Sequence, residues 1–427
     1  MLNRLFNYFL TILIAFSAAV AIYISSPEEV LSTSEQVEAD SPKLDLSSIE
    51  RGRYIALASD CAACHTAPET NLPYAGGYPI DTPFGKIFST NITSDTETGI
   101  GTWSKNDFIR ALKFGKSKSG KNLYPAMPYT SYANMTDEDM NDLWIFIKNL
   151  APIKYDPPPT ELPFPFNMRS TLKIWNLLFF NIKDMSPDKK MSESWNRGDY
   201  LVNSLGHCSA CHTQKNIFGA DTSAYLQGGN LGTWYAPDIT SNRFRGIGNW
   251  SSEQIVEYLK SGSNHASVAS GPMAEVVTAS TQFLSDQDLI SIAEYLKKLP
   301  ARDDEEKVVV PPDNPQYRNG LAIYGVNCSS CHRATGKGFP RVAAALANNP
   351  NVNSIHPGSL VMTLLKGSRG TSTQTKPSSG VMPSFADKLS DAEIADVLTY
   401  IRNAWGNASE PVSSNEVERI RRKILDN

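Results

Sequence analysis

The sequence predicts an all-α protein built as three small helical domains in a row. The six cysteines fall as three Cys-x-x-Cys pairs, Cys61/Cys64, Cys208/Cys211 and Cys328/Cys331, each followed at once by a histidine. A glycine-bearing helical stretch leads into each pair, with Gly52, Gly198 and Gly320 in register. A second helical stretch with a capping start closes each repeat, at Thr136, Ser285 and Ser390. A chain of 427 residues is too long for one compact core. A net charge of -4 leaves no basic footprint of the kind nucleic-acid binding requires, so that class of partner is excluded.

The N-terminal element, residues 1–25, is a signal peptide or a signal anchor. Arg4 is the only charge before Glu28, and Leu5 to Ile24 is mostly apolar. Ala19-Val20-Ala21 offers a cleavage site. The uncharged run also approaches the ~20 residues that span a bilayer, which suits an uncleaved anchor equally well. Either reading exports the globular part. Residues 26–46, rich in Ser and Glu, read as a linker.

Domain 1 is expected over 47–156, domain 2 over 192–300 and domain 3 over 313–406. Each opens with a helix: Glu50 to Asp60, Asn196 to His207, and Arg318 to Asn327. A glycine inside a helix costs about 1 kcal/mol against alanine, so its recurrence implies a second helix crossing closely there. The closing helices supply that partner. Thr136 with Asp139, Ser285 with Asp288 and Ser390 with Glu393 have capping-box spacing. Downstream stand the aromatics Phe146, Tyr295 and Tyr400, in line with Leu143, Ile292 and Val397. Middle helices are expected from Trp103-Ser104 to Gly115, Trp250-Ser251 to Gly262 and Pro357-Gly358 to Gly367, each stopped by a C-terminal glycine. Repeats one and two share an insert that carries Gly76-Gly77 and Gly228-Gly229, Asn91-Ile92-Thr93 and Asp238-Ile239-Thr240, then Gly99-Ile100-Gly101 and Gly246-Ile247-Gly248; repeat three lacks it.

Three segments join or extend the domains. The connector 157–191 holds an aromatic and aliphatic run, Leu172 to Phe180, that reads as packing between domains, with partner or bilayer contact as the alternative. The linker 301–312 is charged and ends in a proline pair. The tail 407–427 places Val417, Ile420 and Ile424 on one stripe among arginines, and reads as a solvated helix end or, alternatively, an interfacial helix.

The Cys-x-x-Cys-His pattern is the attachment signature of a c-type haem. The two thiols bind the porphyrin, and the adjacent histidine ligates the iron. Three occurrences that consume every cysteine imply three covalently bound haem c groups, with His65, His212 and His332 as proximal ligands. Zinc would need two paired half-sites close together, and no second pair lies near any of these. The distal ligand in small domains of this kind is often a methionine on the loop before the closing helix. Met127 in Tyr124-Pro125-Ala126-Met127-Pro128, Met273 in Gly271-Pro272-Met273 and Met382 in Val381-Met382-Pro383 hold that place. Met135, Met140 and Met362 fit core positions better, and His207, His265 and His356 are the rival ligands.

From about residue 47 to 406 the chain resembles the three-haem cytochrome c subunit of membrane-bound bacterial dehydrogenases. The resemblance rests on Arg51-Gly52-Arg53-Tyr54, Cys61 to His65 with Thr66, the paired motifs of the insert, and Tyr124 to Tyr129. It also rests on Gly271-Pro272-Met273-Ala274-Glu275-Val276-Val277 and on the connector from Pro163-Phe164-Pro165-Phe166-Asn167 through Trp175 to Phe180. It implies three tandem class I cytochrome c-type domains and a catalytic partner that is a quinoprotein, a flavoprotein or a molybdenum hydroxylase. It further implies ubiquinone as acceptor, and a place on the periplasmic side of the bacterial inner membrane, against the membrane surface. No substrate-oxidising site is expected in this chain. Two competing readings are a self-contained haem enzyme of peroxidase or thiosulfate dehydrogenase type, which needs an open iron, and a general carrier to a terminal oxidase.

Overall fold

The computed structural model describes residues 23, 46–301, 307–340, 342–376 and 380–425. The expected signal or anchor over 1–25, apart from Tyr23, most of the linker 26–46 and part of the linker 301–312 lie outside the described residues. Among the described residues no helix is long and apolar enough to cross a membrane.

The first unit runs α1 (Leu46–Ala58), α2 (Cys61–His65), β1 (Pro79–Thr82), β2 (Gly85–Phe88), α3 (Lys105–Phe114), α4 (Tyr129–Tyr132) and α5 (Asp137–Lys148). The second, reached through α6 (Leu172–Phe179), runs α7 (Glu193–Tyr200), α8 (Ser209–His212), β3 (Gln227–Leu231), β4 (Trp234–Asp238), α9 (Ser252–Ser261), α10 (Pro272–Ala279) and α11 (Asp286–Lys298). The third runs α12 (Pro315–Asn327), α13 (Ser329–His332), α14 (Gly358–Lys366), β5 (Ser368–Arg369), β6 (Val381–Met382) and α15 (Asp391–Ile401), and α16 (Ser414–Leu425) closes the chain. Helices dominate, as expected. Among the described residues each unit adds one short two-stranded antiparallel sheet, β1–β2, β3–β4 and β5–β6, to the helices.

The leading and closing helices cross at the glycines. An added Cβ on Gly52 would lie 2.0 Å from the Asp142 carbonyl oxygen and 2.7 Å from the Phe146 Cβ. On Gly198 it would meet the Ser291 oxygen at 2.0 Å and the Tyr295 Cβ at 2.8 Å, and on Gly320 the Asp396 oxygen at 2.1 Å and the Tyr400 Cβ at 2.7 Å. The recurrent glycine and the recurrent aromatic are thus two halves of one contact. The leading helices differ in length by single residues: one more lies between Gly198 and Cys208 than between Gly52 and Cys61, and one fewer between Gly320 and Cys328. A π turn at Leu201–Leu205 absorbs the extra one. Asp60 and His207, just before the first two pairs, take left-handed backbone (φ 53 and 37), whereas α12 runs straight to Cys328.

Units one and two share one continuous apolar core, and unit three has its own. The first two also exchange a reciprocal polar contact. The Tyr54 hydroxyl donates to Asp288 Oδ2 at 2.6 Å and accepts from the Ser285 backbone N–H at 3.1 Å. The Tyr200 hydroxyl likewise donates to Asp139 and accepts from the Thr136 N–H. This corrects the capping-box expectation. Thr136 and Ser285 make their side-chain caps, but Asp139 and Asp288 turn to the other unit's tyrosine; of the three closing helices, only the one at Ser390 with Glu393 forms the full box. Burial alone would raise the Asp288 carboxyl, but the Arg197 guanidinium and the Tyr54 hydroxyl outweigh it and hold the group below its ordinary value. A depressed value in the folded state contributes stability above the unfolded-state value of about 3.9, lost as pH falls through the folded value. Tyr54→Phe and Tyr200→Phe should each cost about 1–2 kcal/mol at pH 7. For Tyr54→Phe the deficit should shrink as the pH falls below about 4. Denaturant midpoints at pH 7 and pH 3 check this; an equal deficit at both would show that the tyrosine bond to Asp288 is not the source.

Unit three docks on unit two. Ser359 bonds both backbone groups of Tyr235, at 2.8 and 2.9 Å, and Thr371 Oγ1 donates to the Ser261 carbonyl at 2.9 Å. Helix α6 does what the connector reading expected and more. Leu172 is buried, Asn176 accepts from the Tyr129 hydroxyl at 2.7 Å, and Phe180 meets the Tyr129 ring, yet Leu177 and Leu178 stand exposed. The tail is corrected: α16 is neither a solvated end nor an interfacial helix. Val417 and Ile420 are fully buried against unit three, and Arg421 bonds Asp391 and the Ala386 and Leu389 carbonyls.

Candidate haem sites

Each Cys-x-x-Cys-His segment forms one short helix, α2, α8 or α13, docked at the end of its leading helix. All six thiols are unpaired. Burial pushes Cys61, Cys64 and Cys208 up to about 12 and Cys328 up to about 11. A thioredoxin-type pair needs the opposite shift. Among the described residues no group of three or more His, Cys, Asp or Glu side chains is arranged to hold a metal ion.

The three histidines are oriented alike. His65 Nδ1 lies 2.6 Å from the Thr90 carbonyl oxygen, His212 Nδ1 2.7 Å from that of Pro237, and His332 Nδ1 2.8 Å from that of Ala344. A carbonyl only accepts, so Nδ1 carries the proton and Nε2 keeps its lone pair for a metal. Burial lowers all three imidazoles, which keeps them neutral, the state ligation needs.

The shared insert builds the first two acceptors. Thr90 and Pro237 stand immediately before Asn91-Ile92-Thr93 and Asp238-Ile239-Thr240. Asn91 Oδ1 accepts from the Thr93 N–H at 2.9 Å and Asp238 Oδ1 from the Thr240 N–H at 2.6 Å, turns that fix the carbonyl just upstream. Gly76 has φ 81, and its N–H donates to the His65 carbonyl; a Cβ there would come within 2.4 Å of Thr90. Unit three, without the insert, reaches the same geometry through Ala344.

Met127, Met273 and Met382 are all half-buried, and Met127 and Met382 pack against the apolar cores. Two sit on regular structure rather than on the expected loop: Met273 in the first turn of α10, and Met382 on β6 paired with Ser368. Met135, Met140 and Met362, by contrast, lie inside the apolar cores.

The family model for cytochrome c matches residues 49–151 and 317–405. The chain is 37% identical over 408 residues to the fructose dehydrogenase cytochrome subunit of Gluconobacter japonicus, with 88% of this chain and 82% of that one covered. Over 394 residues it is 40% identical to the cytochrome c subunit of the quinone alcohol dehydrogenase of Gluconobacter oxydans (87% and 82% covered). Over 395 it is 36% identical to the gluconate 2-dehydrogenase cytochrome c subunit of Pantoea cypripedii (88% and 89%). The chain belongs to the family of bacterial dehydrogenase cytochrome c subunits. As such a cytochrome it binds haem c covalently and transfers electrons. Paired free thiols, each beside a neutral imidazole with Nε2 free, are a donor set that fits that group.

The rival histidines of the cytochrome are otherwise engaged or misplaced. The His207 ring packs edge-on to Tyr132 at 5.6 Å, deep between units one and two. His356 takes the Gly358 N–H on Nδ1, faces Glu416 with Nε2 at 3.3 Å and stacks on Tyr235. His265 is exposed. Reading the sequence missed the carbonyl acceptors. The shared insert marked two of them, but the bond falls on the residue before each motif, and nothing marked Ala344.

Proposed function

We propose that this cytochrome is a three-haem electron-transfer subunit that takes electrons from a catalytic dehydrogenase subunit and passes them to ubiquinone in the membrane. The observation that carries the number three is the threefold repetition of one arrangement: a thiol pair, then a histidine whose Nδ1 is tied to a backbone carbonyl. In this reading Cys61, Cys64, Cys208, Cys211, Cys328 and Cys331 hold the three groups. His65, His212 and His332 ligate from one side, and Met127, Met273 and Met382 from the other. Bound haem c supplies a one-electron iron couple. The protein's part is to hold each group with two ligands, exclude small-molecule ligands, and set the spacing between centres. In this reading the three domains run over 47–156, 192–300 and 313–406. Direct contacts join unit one to two and unit two to three, which supports a linear path. Electrons enter at domain three and leave from domain one or two.

Placement at the periplasmic face of the inner membrane is supported by an exposed apolar surface. Phe164, Leu177 and Leu178 of the connector are 76%, 69% and 65% exposed, and Phe179 stacks on Phe218 beside exposed Ile217. The run from 162 to 183 carries Arg169, Lys173 and Lys183 and no acidic residue, which suits an anionic lipid surface.

The experiment is to purify the full chain from membranes with whatever accompanies it and count haem c per polypeptide by pyridine haemochrome. Three haems are expected, all low-spin, with substrate-driven reduction by a co-purifying quinoprotein, flavoprotein or molybdenum dehydrogenase. Two haems per chain, or a chain that no such enzyme reduces, would overturn the proposal.

A further inference from the structure

The third unit carries a charge pattern that the other two do not. From residue 314 to 386 the sequence contains seven lysines and arginines and not one Asp or Glu, in a chain whose net charge is -4. The matching stretches of units one and two mix both signs. Three of these cations flank the third haem site. Arg333 follows His332 directly, is exposed, and lays its guanidinium over the Phe339 ring at 4.0 Å. Lys337 is exposed on the next turn, between two glycines with left-handed backbone. Arg369, also exposed, pairs across the β5–β6 hairpin with Val381, the neighbour of Met382. Among the described acidic groups, none forms an ion pair with any of the three.

The leading helix of the same haem motif leaves apolar surface uncovered. At the end of α12 next to the third Cys pair, Val326 is 85% exposed and Gly325 is open to solvent, and Leu321, further back on the helix, is 48% exposed. In the first two units the same part of the leading helix, Ala58-Ser59 and Ser204-Leu205, is fully buried where the two units meet. That internal contact demonstrates the use of such a face: it brings one haem motif against another redox unit.

We infer that the haem edge of unit three is a docking surface for an acidic protein surface, that of the catalytic dehydrogenase subunit, with Arg333, Lys337 and Arg369 as its steering charges. The inference rests on the reading of this chain as an electron-transfer subunit. The aliphatic centre, Val326, lies on the part of the leading helix that units one and two bury against each other. It differs from the aromatic, helix-borne surface of the connector that suits a bilayer. Exposed cations near a redox centre orient an anionic partner before contact and raise the rate of productive encounter, an effect that salt removes.

The test uses the full haem-loaded chain on gold electrodes coated with carboxylate-terminated or ammonium-terminated alkanethiols. Wild type should exchange electrons rapidly on the carboxylate layer only, and less so as ionic strength rises. The triple reversal R333E/K337E/R369E should lose about tenfold or more of that exchange at low salt, and R333Q/K337Q/R369Q should fall between. K189E/K190E, on the exposed loop before α7, should behave as wild type. Retention of three low-spin haems checks that each variant is intact. The inference is overturned if the triple reversal exchanges like wild type, or if the loop control loses as much. It is overturned too if the triple reversal abolishes binding to phosphatidylglycerol vesicles while electrode exchange persists, which would make this face a lipid contact. The electrode readout needs no dehydrogenase. A wild-type chain that no dehydrogenase reduces would therefore count against the proposed function alone.

Discussion

Met382→Ala should leave the third haem covalently attached yet lower its potential by on the order of 0.1 V, within the roughly 0.8 V that axial ligation commands. A thioether favours the reduced iron, and its loss removes that preference. The same substitution should let carbon monoxide bind at that site in the reduced protein, whereas wild type binds none. Met127→Ala and Met273→Ala should do the same at the first and second sites. Potentiometric titration followed in the visible bands, with and without carbon monoxide, reads both effects. An alanine variant with unchanged potentials and no carbon monoxide adduct would remove that methionine from the ligand set. The most exposed test is Met273, because it stands in the first turn of a helix and not on a loop. With electrons entering at domain three, only Met382→Ala should slow substrate-driven filling of all the other centres.

The second large effect is a contrast within one helix. Gly320→Ala should destabilise the third unit by about 3 kcal/mol, and Gly325→Ala should stabilise it by about 0.5–1 kcal/mol. Both positions lie in α12. At Gly320 the new methyl would sit 2.1 Å from the Asp396 carbonyl oxygen, so backbone must move; at Gly325 nothing lies within 4 Å. Alanine there only reduces the freedom of the unfolded chain. The unit has its own core, so its denaturant transition, read by far-UV circular dichroism, should shift in opposite directions for the two variants. Shifts of the same sign would mean that the helix crossing does not govern stability here.

The helix crossings were legible in the sequence because they depend on side chains. A glycine recurs eight to ten residues before each Cys pair and an aromatic ten residues after each closing cap, and only a close approach requires both. The haem-attachment segments were legible for the same reason. The orientation of the histidines was not, since it rests on backbone carbonyls. Asn91-Ile92-Thr93 and Asp238-Ile239-Thr240 stood out as shared motifs without disclosing that Thr90 and Pro237 just before them take the imidazole N–H. Ala344 does that work in unit three with no marker at all. Asp139 and Asp288 misled because capping is judged within one helix, whereas their carboxylates answer a tyrosine of the neighbouring unit. The tail misled in a similar way. Its arginines suggested solvent or lipid, but the partners of Arg421 are a carboxylate and two carbonyls of the closing helix region, visible only once the chain is folded.

The reciprocal tyrosine–aspartate contact sets a limit on how the chain can grow. Because each of the first two units gives the other the same pair of groups, the contact is isologous, like that of a homodimer fused into one polypeptide. An isologous contact closes on itself and leaves no copy of the surface for another unit. The third unit is therefore attached through a different seam, Ser359 against Tyr235 and Thr371 against Ser261. At the place of Tyr54 and Tyr200 it has Ala322, so it lacks the hydroxyl that would repeat the bond. An array built this way cannot extend as a solenoid does, by adding identical modules. Each further redox centre would need an attachment of its own.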